Sequence, residues 1–444
     1  MMSRSRRTSS ILLFGCLAFV LGAFSGACVW LVIDIMRVVI ELLWTRLPGI
    51  VPGGSTIWYR MLVCAAGGAL IGLWHGKHGD LPDSMEQVLG KVKRDGYYPY
   101  DHLGVVAVSA LLPLFFGGAV GPEAGLSGII AGLVSWVNAT MRRKGFEVKG
   151  MEEAGLGAVM CALFGAPLFI FADEIESVFG IGAAGKTDRI GAGSTDPVAV
   201  TETDVRGKGK RLASRKTRFF LYAMSLFGAL LVMKVFNELT GESGGLPRFS
   251  ADPGLHLGEW KWFIPLVLIG AVGGLAFSAF DRVSSWMAER IGDRRVISGI
   301  AAGIILTCVS WLVPMTMFSG EDQLEELMKG WTAMGPAILL AMGISKLFLT
   351  NVCMSLGWRG GKIFPIIFGG SAIGFAAAGI TGASPLFAVA VVVAALYGSV
   401  SKKPLVVVAV LMLCFPVAYI VPVAAGAYAG ALLTGGKKIF SKKD

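Results

Sequence analysis

Uncharged apolar runs dominate this chain and decide what it can fold into. They span Thr8–Ile33, Trp262–Phe280, Val296–Gly320, Ile363–Ser401 and Pro404–Gly436. A bilayer crossing needs about 20 apolar residues. Shorter runs, Met61–Trp74, Ala154–Ala172, Phe219–Met233 and Trp331–Ser345, add further candidates. Only 16% of residues are charged and 54% are hydrophobic, too greasy for a soluble domain of 444 residues. The fold class expected is an all-α polytopic membrane protein.

The net charge of +10 does not point to nucleic acid, because the basic residues cluster at the edges of the apolar runs. These clusters are Arg4, Arg6 and Arg7; Lys91, Lys93 and Arg94; Arg206–Lys216; Arg294 and Arg295; and Lys437–Lys443. Loops rich in Lys and Arg stay cytoplasmic. Both termini are therefore expected there. The acidic segments Asn237–Trp260 and Ser319–Met328 are placed outside. The N-terminal run continues past Cys28 to Ile33, too long for a signal peptide, and is read as a retained first helix. The stretch Gly180–Lys216 reads as a cytoplasmic loop, and no soluble domain is expected.

Seven cysteines lie inside apolar runs without a CxxC pair and read as small hydrophobes. His75 and His78 form an HxxH beside a loop, which is a poor metal signal. No metal or cofactor is expected. A polytopic membrane enzyme is a remote alternative, since neither HExxH nor a Ser/His/Asp set is present.

Two breaks interrupt the greasy segments. "GGAVGP" (Gly117–Pro122) and "GGKIFP" (Gly360–Pro365) both read GG-x-x-x-P and both open a glycine-rich apolar helix. Proline is at home in the first turn of a helix, and glycines before it leave amides uncovered. A helix N-terminus carries about half a positive charge and binds anions without a full cation. Such breaks are tolerated at membrane depth where they line a cavity. A third candidate is "HGKHGDLPDS" (His75–Ser84). The echo divides the chain into halves, 1–240 and 241–444, with a site expected where they meet.

These motifs, in order, resemble the CLC family of chloride channels and proton-coupled chloride transporters. "GDLPDS" stands at the family's GSGIP position and "GGAVGPEAG" at GREGP. "LFGAPLFIFADEIE" resembles the APL segment, "SKLFLTNVCMSLGWRGGKIFP" the GxFxP segment, and "GGKKIF" the final GGKPLY. The resemblance implies the CLC fold with two inverted halves, a homodimer, and one pathway per subunit for a small chloride-like anion. It also implies a multi-pass protein of the bacterial inner membrane.

The resemblance places the anion against Gly79, Asp80, Leu81, Val120, Gly121, Ile363, Phe364 and Phe440. Three of the family's side chains are changed. Val120 replaces the gate glutamate, Gly79 the serine and Phe440 the tyrosine. The chain resembles a bacterial branch with GPE in place of the usual filter sequence. Passive, channel-like flow is the expectation; proton-coupled antiport through Glu123 or Glu176 is the alternative. Glu123 reads either as a helix-start stabiliser or as a relocated gate. Glu176 reads as a helix end or as an internal proton acceptor, with Ser177 at the aligned position. Lys346 and Arg359 are assigned to a vestibule, although Lys346 also fits a role of snorkelling or pairing with backbone carbonyls. Chloride, fluoride, nitrate and bicarbonate all remain open as the anion.

Overall fold

The computed structural model describes residues 4–95, 97–143, 215–240, 247–250 and 256–435. Glu176, Phe440 and the loop at 180–216 lie outside the described residues, apart from the last two positions of that loop.

The described chain is helical, with no strand. Its helices are α1 (Arg4–Glu41), α2 (Leu47–Ile50), α3 (Ile57–His78), α4 (Met85–Asp95), α5 (Leu103–Phe115) and α6 (Glu123–Arg143). They continue with α7 (Arg215–Thr240), α8 (Phe263–Ile291), α9 (Arg295–Leu312), α10 (Glu321–Gly330) and α11 (Pro336–Ser355). Then follow α12 (Ile363–Thr381), α13 (Pro385–Ser401), α14 (Pro404–Leu411) and α15 (Ile420–Leu433). Seven helical segments are long and apolar enough to cross a membrane; α5, α13 and the start of α6 are apolar but shorter.

Hydropathy sorts these helices into layers. α12 and α13 are apolar on every side, and such helices belong at the centre of a bundle. Ile363–Ala378 and Leu386–Ser399 are buried accordingly. Outer helices instead leave large apolar side chains uncovered, among them Leu62, Leu73, Ile264, Val272 and Trp311. In a membrane that surface meets lipid tails.

Apolar side chains cannot drive helices together inside lipid, so close backbone approach carries the packing. α3 crosses α9 where Gly68 faces Gly299, and a Cβ on either would strike the other's carbonyl. α13 meets α15 as closely, since a Cβ on Gly398 would strike the Ala427 carbonyl and one on Gly430 the Ala395 carbonyl. The start of α4 carries a capping box. Ser84 Oγ accepts the Gln87 amide (3.3 Å), and Gln87 Oε1 accepts the Ser84 amide (2.8 Å).

Candidate functional site

The two GG-x-x-x-P breaks meet. Gly121 N–H donates to the Gly361 carbonyl (2.8 Å) and Gly361 N–H to that of Gly121 (2.7 Å), an isolated antiparallel bridge. α6 starts two residues after Gly121 and α12 two residues after Gly361, so the bridge brings two helix N-termini together. Two positive helix ends at one buried point repel each other and favour negative charge between them.

The first break is held by long-range contacts. Gly117, at φ +85°, accepts the Phe318 amide (3.0 Å), and Gly118 N–H reaches the Pro113 carbonyl (2.8 Å). Trp358, wholly buried, lies against Gly118 and donates its indole N–H to Gly299 (2.9 Å). Val120 is fully buried, and its side chain packs against Gly360.

Negative charge is present at the meeting point, on Glu123. Its side chain is 1% exposed, and Oε1 accepts the Ile363 amide at 2.6 Å. The carboxylate lies over Gly121 and Gly361, where a Cβ on either glycine would strike it. Oε2 has no hydrogen-bond partner among the described residues. A carboxylate of the first half is thus bound to the helix end of the second, in the manner of an anion.

Several amides assigned to an anion from sequence are already engaged. Gly121 N–H is held by the bridge, Leu81 N–H by the Gly79 carbonyl (3.1 Å), and Ile363 N–H by Glu123. Asp80 adds a negative side chain to the third break. Its carboxylate bridges Arg295 (3.3 Å) and Arg359 (3.1 Å), tying the third break to the second.

A cavity of about 230 Å³ opens beside Glu123 and is bounded also by Ser84, Glu86, Lys362 and Tyr397. Lys362 pairs with Glu86 on α4 at 3.8 Å. Tyr397 and Glu86 were not singled out from sequence. Tyr397 carries the one phenol of the Ile363–Ser401 run, the only signal that could have marked it.

Of the two roles expected for Lys346, pairing with backbone carbonyls is the one the fold provides. Lys346 is fully buried and donates to the carbonyls of Thr316 (3.2 Å), Met317 (2.8 Å) and Phe318 (2.6 Å), over the Phe368 ring. An ammonium has three donors, and this loop turns three carbonyls towards it. Arg359, by contrast, is half-exposed at the mouth of a second cavity. Glu321, at the start of α10, is partly buried. Burial raises its pKa to about 8, with the charges of Glu123 and Asp322 adding and Arg37 opposing. No group of three or more His, Cys, Asp or Glu side chains among the described residues could hold a metal.

This arrangement, helices broken in mid-bundle with their N-termini converging, is that of an anion-transporting membrane protein of CLC type. The family model described as "Voltage gated chloride channel" matches residues 213–435, half of the chain, and the chain belongs to that family. Among its relatives is the "Putative ion-transport protein YfeO" of Escherichia coli (strain SMS-3-5 / SECEC), 24% identical over 83% of this chain and 79% of that protein. The protein of that name in Escherichia fergusonii is 23% identical over the same shares.

Solved structures share the fold. A CLC-type fluoride/proton antiporter superposes with a TM-score of 0.65 at 18% identity, covering 96% of both chains. A slow cyanobacterial Cl⁻/H⁺ antiporter gives 0.67 at 14% identity, covering 95% of this chain and 94% of that one. The chain is therefore a multi-pass membrane protein with the all-α CLC-type fold and bacterial relatives.

Proposed function

We propose that this protein moves a small inorganic anion through the point where α6 and α12 meet, and that the Glu123 carboxylate gates it. The observation that carries this reading is the 2.6 Å bond from the Ile363 amide to Glu123 Oε1. An amide at a helix end that holds a carboxylate can hold an anion, and the two compete. Departure of Glu123 is the opening step. Protonation favours it, because a neutral carboxyl gains less from the helix dipoles and from the Ile363 amide.

The amides of Ile363, Phe364 and Val120 then supply the anion's contacts. Partial charges suit a pathway better than a fixed ammonium, since the ion must also leave. The two-half organisation, 1–240 and 241–444, belongs to this reading, because the Gly121–Gly361 bridge joins one break from each. So do a homodimer and an inner-membrane location with both termini cytoplasmic.

A second reading, passive flow with no proton dependence, draws on Val120. It is buried and apolar where the family's gate glutamate stands, and it cannot titrate.

Anion efflux from proteoliposomes, over a panel of ions and a series of pH values, tests both. Carboxylate gating gives efflux that accelerates as pH falls, and efflux fast and flat with pH in Glu123→Gln. A fixed proton-to-anion ratio that vanishes in Glu123→Gln identifies coupled antiport through the same residue. Efflux that ignores pH in the wild type leaves Glu123 structural and the passive reading in force.

A further inference from the structure

A second cavity, of about 200 Å³, lies apart from Glu123, between the end of α3, the start of α9 and the loop before α12. His75, Asp80, Arg295, Ser298, Ser355 and Arg359 line it. Two arginines therefore face one cavity from different elements.

Each guanidinium has five N–H donors in a planar fork. Arg295 uses one terminal nitrogen for the His75 carbonyl and for Asp80 Oδ1 (3.3 Å). Arg359 reaches Asp80 Oδ2 (3.1 Å) through one terminal nitrogen. The remaining N–H groups of both have no partner among the described residues. The pair already grips one acid by two oxygens, and that acid is Asp80.

Other features of the cavity agree. The α9 N-terminus opens at its wall, and the N-cap residue, Arg294, makes no side-chain cap bond. His75 is 3% exposed, and its Nε2 has no hydrogen-bond partner among the described residues. Asp293 also lines the cavity and opposes an anion. Against it stand the α9 helix end and whatever charge of the two arginines Asp80 leaves unbalanced.

We propose that this cavity binds a phosphate group, through the free edges of Arg295 and Arg359. Paired guanidinium forks match a multi-oxygen anion rather than a single halide ion. The group comes either from free phosphate or from a lipid headgroup, since the cavity lies where α3 ends and α9 begins. Arg359 is two residues from Gly361, so an occupied cavity steadies the loop that carries the bridge. That link to flux rests on the proposed function; the binding itself does not.

The test uses the full-length protein purified in detergent, titrated calorimetrically with inorganic phosphate and with chloride at matched ionic strength. One phosphate per chain is expected, bound about tenfold more weakly by Arg295→Gln and as in the wild type by Glu123→Gln. Ser355→Asp, which puts a carboxylate into the cavity without touching either arginine, gives the same loss should Arg295→Gln fold poorly. The lipid source is read in phosphatidylcholine vesicles with and without phosphatidic acid. Thermal stabilisation by phosphatidic acid in the wild type but not in Ser355→Asp, without binding of inorganic phosphate, makes the ligand a headgroup. The proposal is overturned if neither probe separates the wild type from Ser355→Asp, or if chloride binds equally well. Phosphate binding with unchanged efflux would leave the site standing and remove only its link to transport.

Discussion

Glu123 Oε1 accepts the Ile363 amide at 2.6 Å across 240 residues of sequence. The bond joins the first residue of α6 to the first of α12, and the two glycines beneath it leave room for nothing larger. Its consequences can be tested residue by residue.

Gly361→Ala should speed efflux and blunt its pH dependence, because the new methyl group takes the space of the Glu123 carboxylate and so favours its departure. Adding Glu123→Ala should then change little. The double variant Gly361→Ala/Glu123→Ala is therefore expected to fall short of the sum of the two single effects, a non-additivity typical of residues in contact. Additive effects would separate the glycine from the carboxylate.

Lys346→Met should destabilise the fold by about 3 kcal/mol, since buried acceptors left unpaired cost about 1–3 kcal/mol each and some will relax. Lys346→Arg should not rescue it, because a planar fork cannot meet three carbonyls gathered around one nitrogen. Thermal unfolding in detergent reads both. Wild-type stability in Lys346→Met would mean the loop at Thr316–Phe318 holds itself.

Glu321 gives stability a pH dependence. Desolvation, with the charges of Glu123 and Asp322, pushes its carboxyl up from an ordinary 4.5 to about 8. A group whose folded pKa is raised contributes its full stability below the lower value and loses it as pH rises through the higher one. The wild type should therefore lose thermal stability between about pH 4.5 and about pH 8. Glu321→Gln should flatten this loss and match the wild type at acid pH. An unchanged slope would mean that Glu321 is solvated.

A homodimer is expected through the apolar surfaces of α7 and α15, where Phe227, Leu231, Val421 and Leu432 are exposed. A dimer mass in mild detergent, and disulfide-linked dimers of a Val421→Cys variant, check it. A monomer at micromolar concentration would assign these faces to lipid.

Much of this protein could be read along the chain. Long uncharged runs leave a polytopic membrane protein as the answer, because unpaired peptide groups cannot be left in lipid. GG-x-x-x-P marks a helix start at both of its places in this chain, since proline and glycine act through their own backbone torsions. Both breaks were legible for that reason, and the order of the motifs pointed to the family.

What each side chain does was decided only when distant segments met. Glu123 read first as a helix-start stabiliser and only second as a gate, because nothing near it in sequence says that Ile363 will arrive above it. Lys346 fitted a vestibule or a pairing with backbone carbonyls, and only the arrival of the loop at Thr316–Phe318 gave it the carbonyls. Tyr397 and Glu86 gave no motif and gained a place only through the cavity they share. Helix breaks are local torsional facts, whereas the partner of a buried charge is a long-range one, and only tertiary structure brings that partner within 3 Å of Glu123 and Lys346.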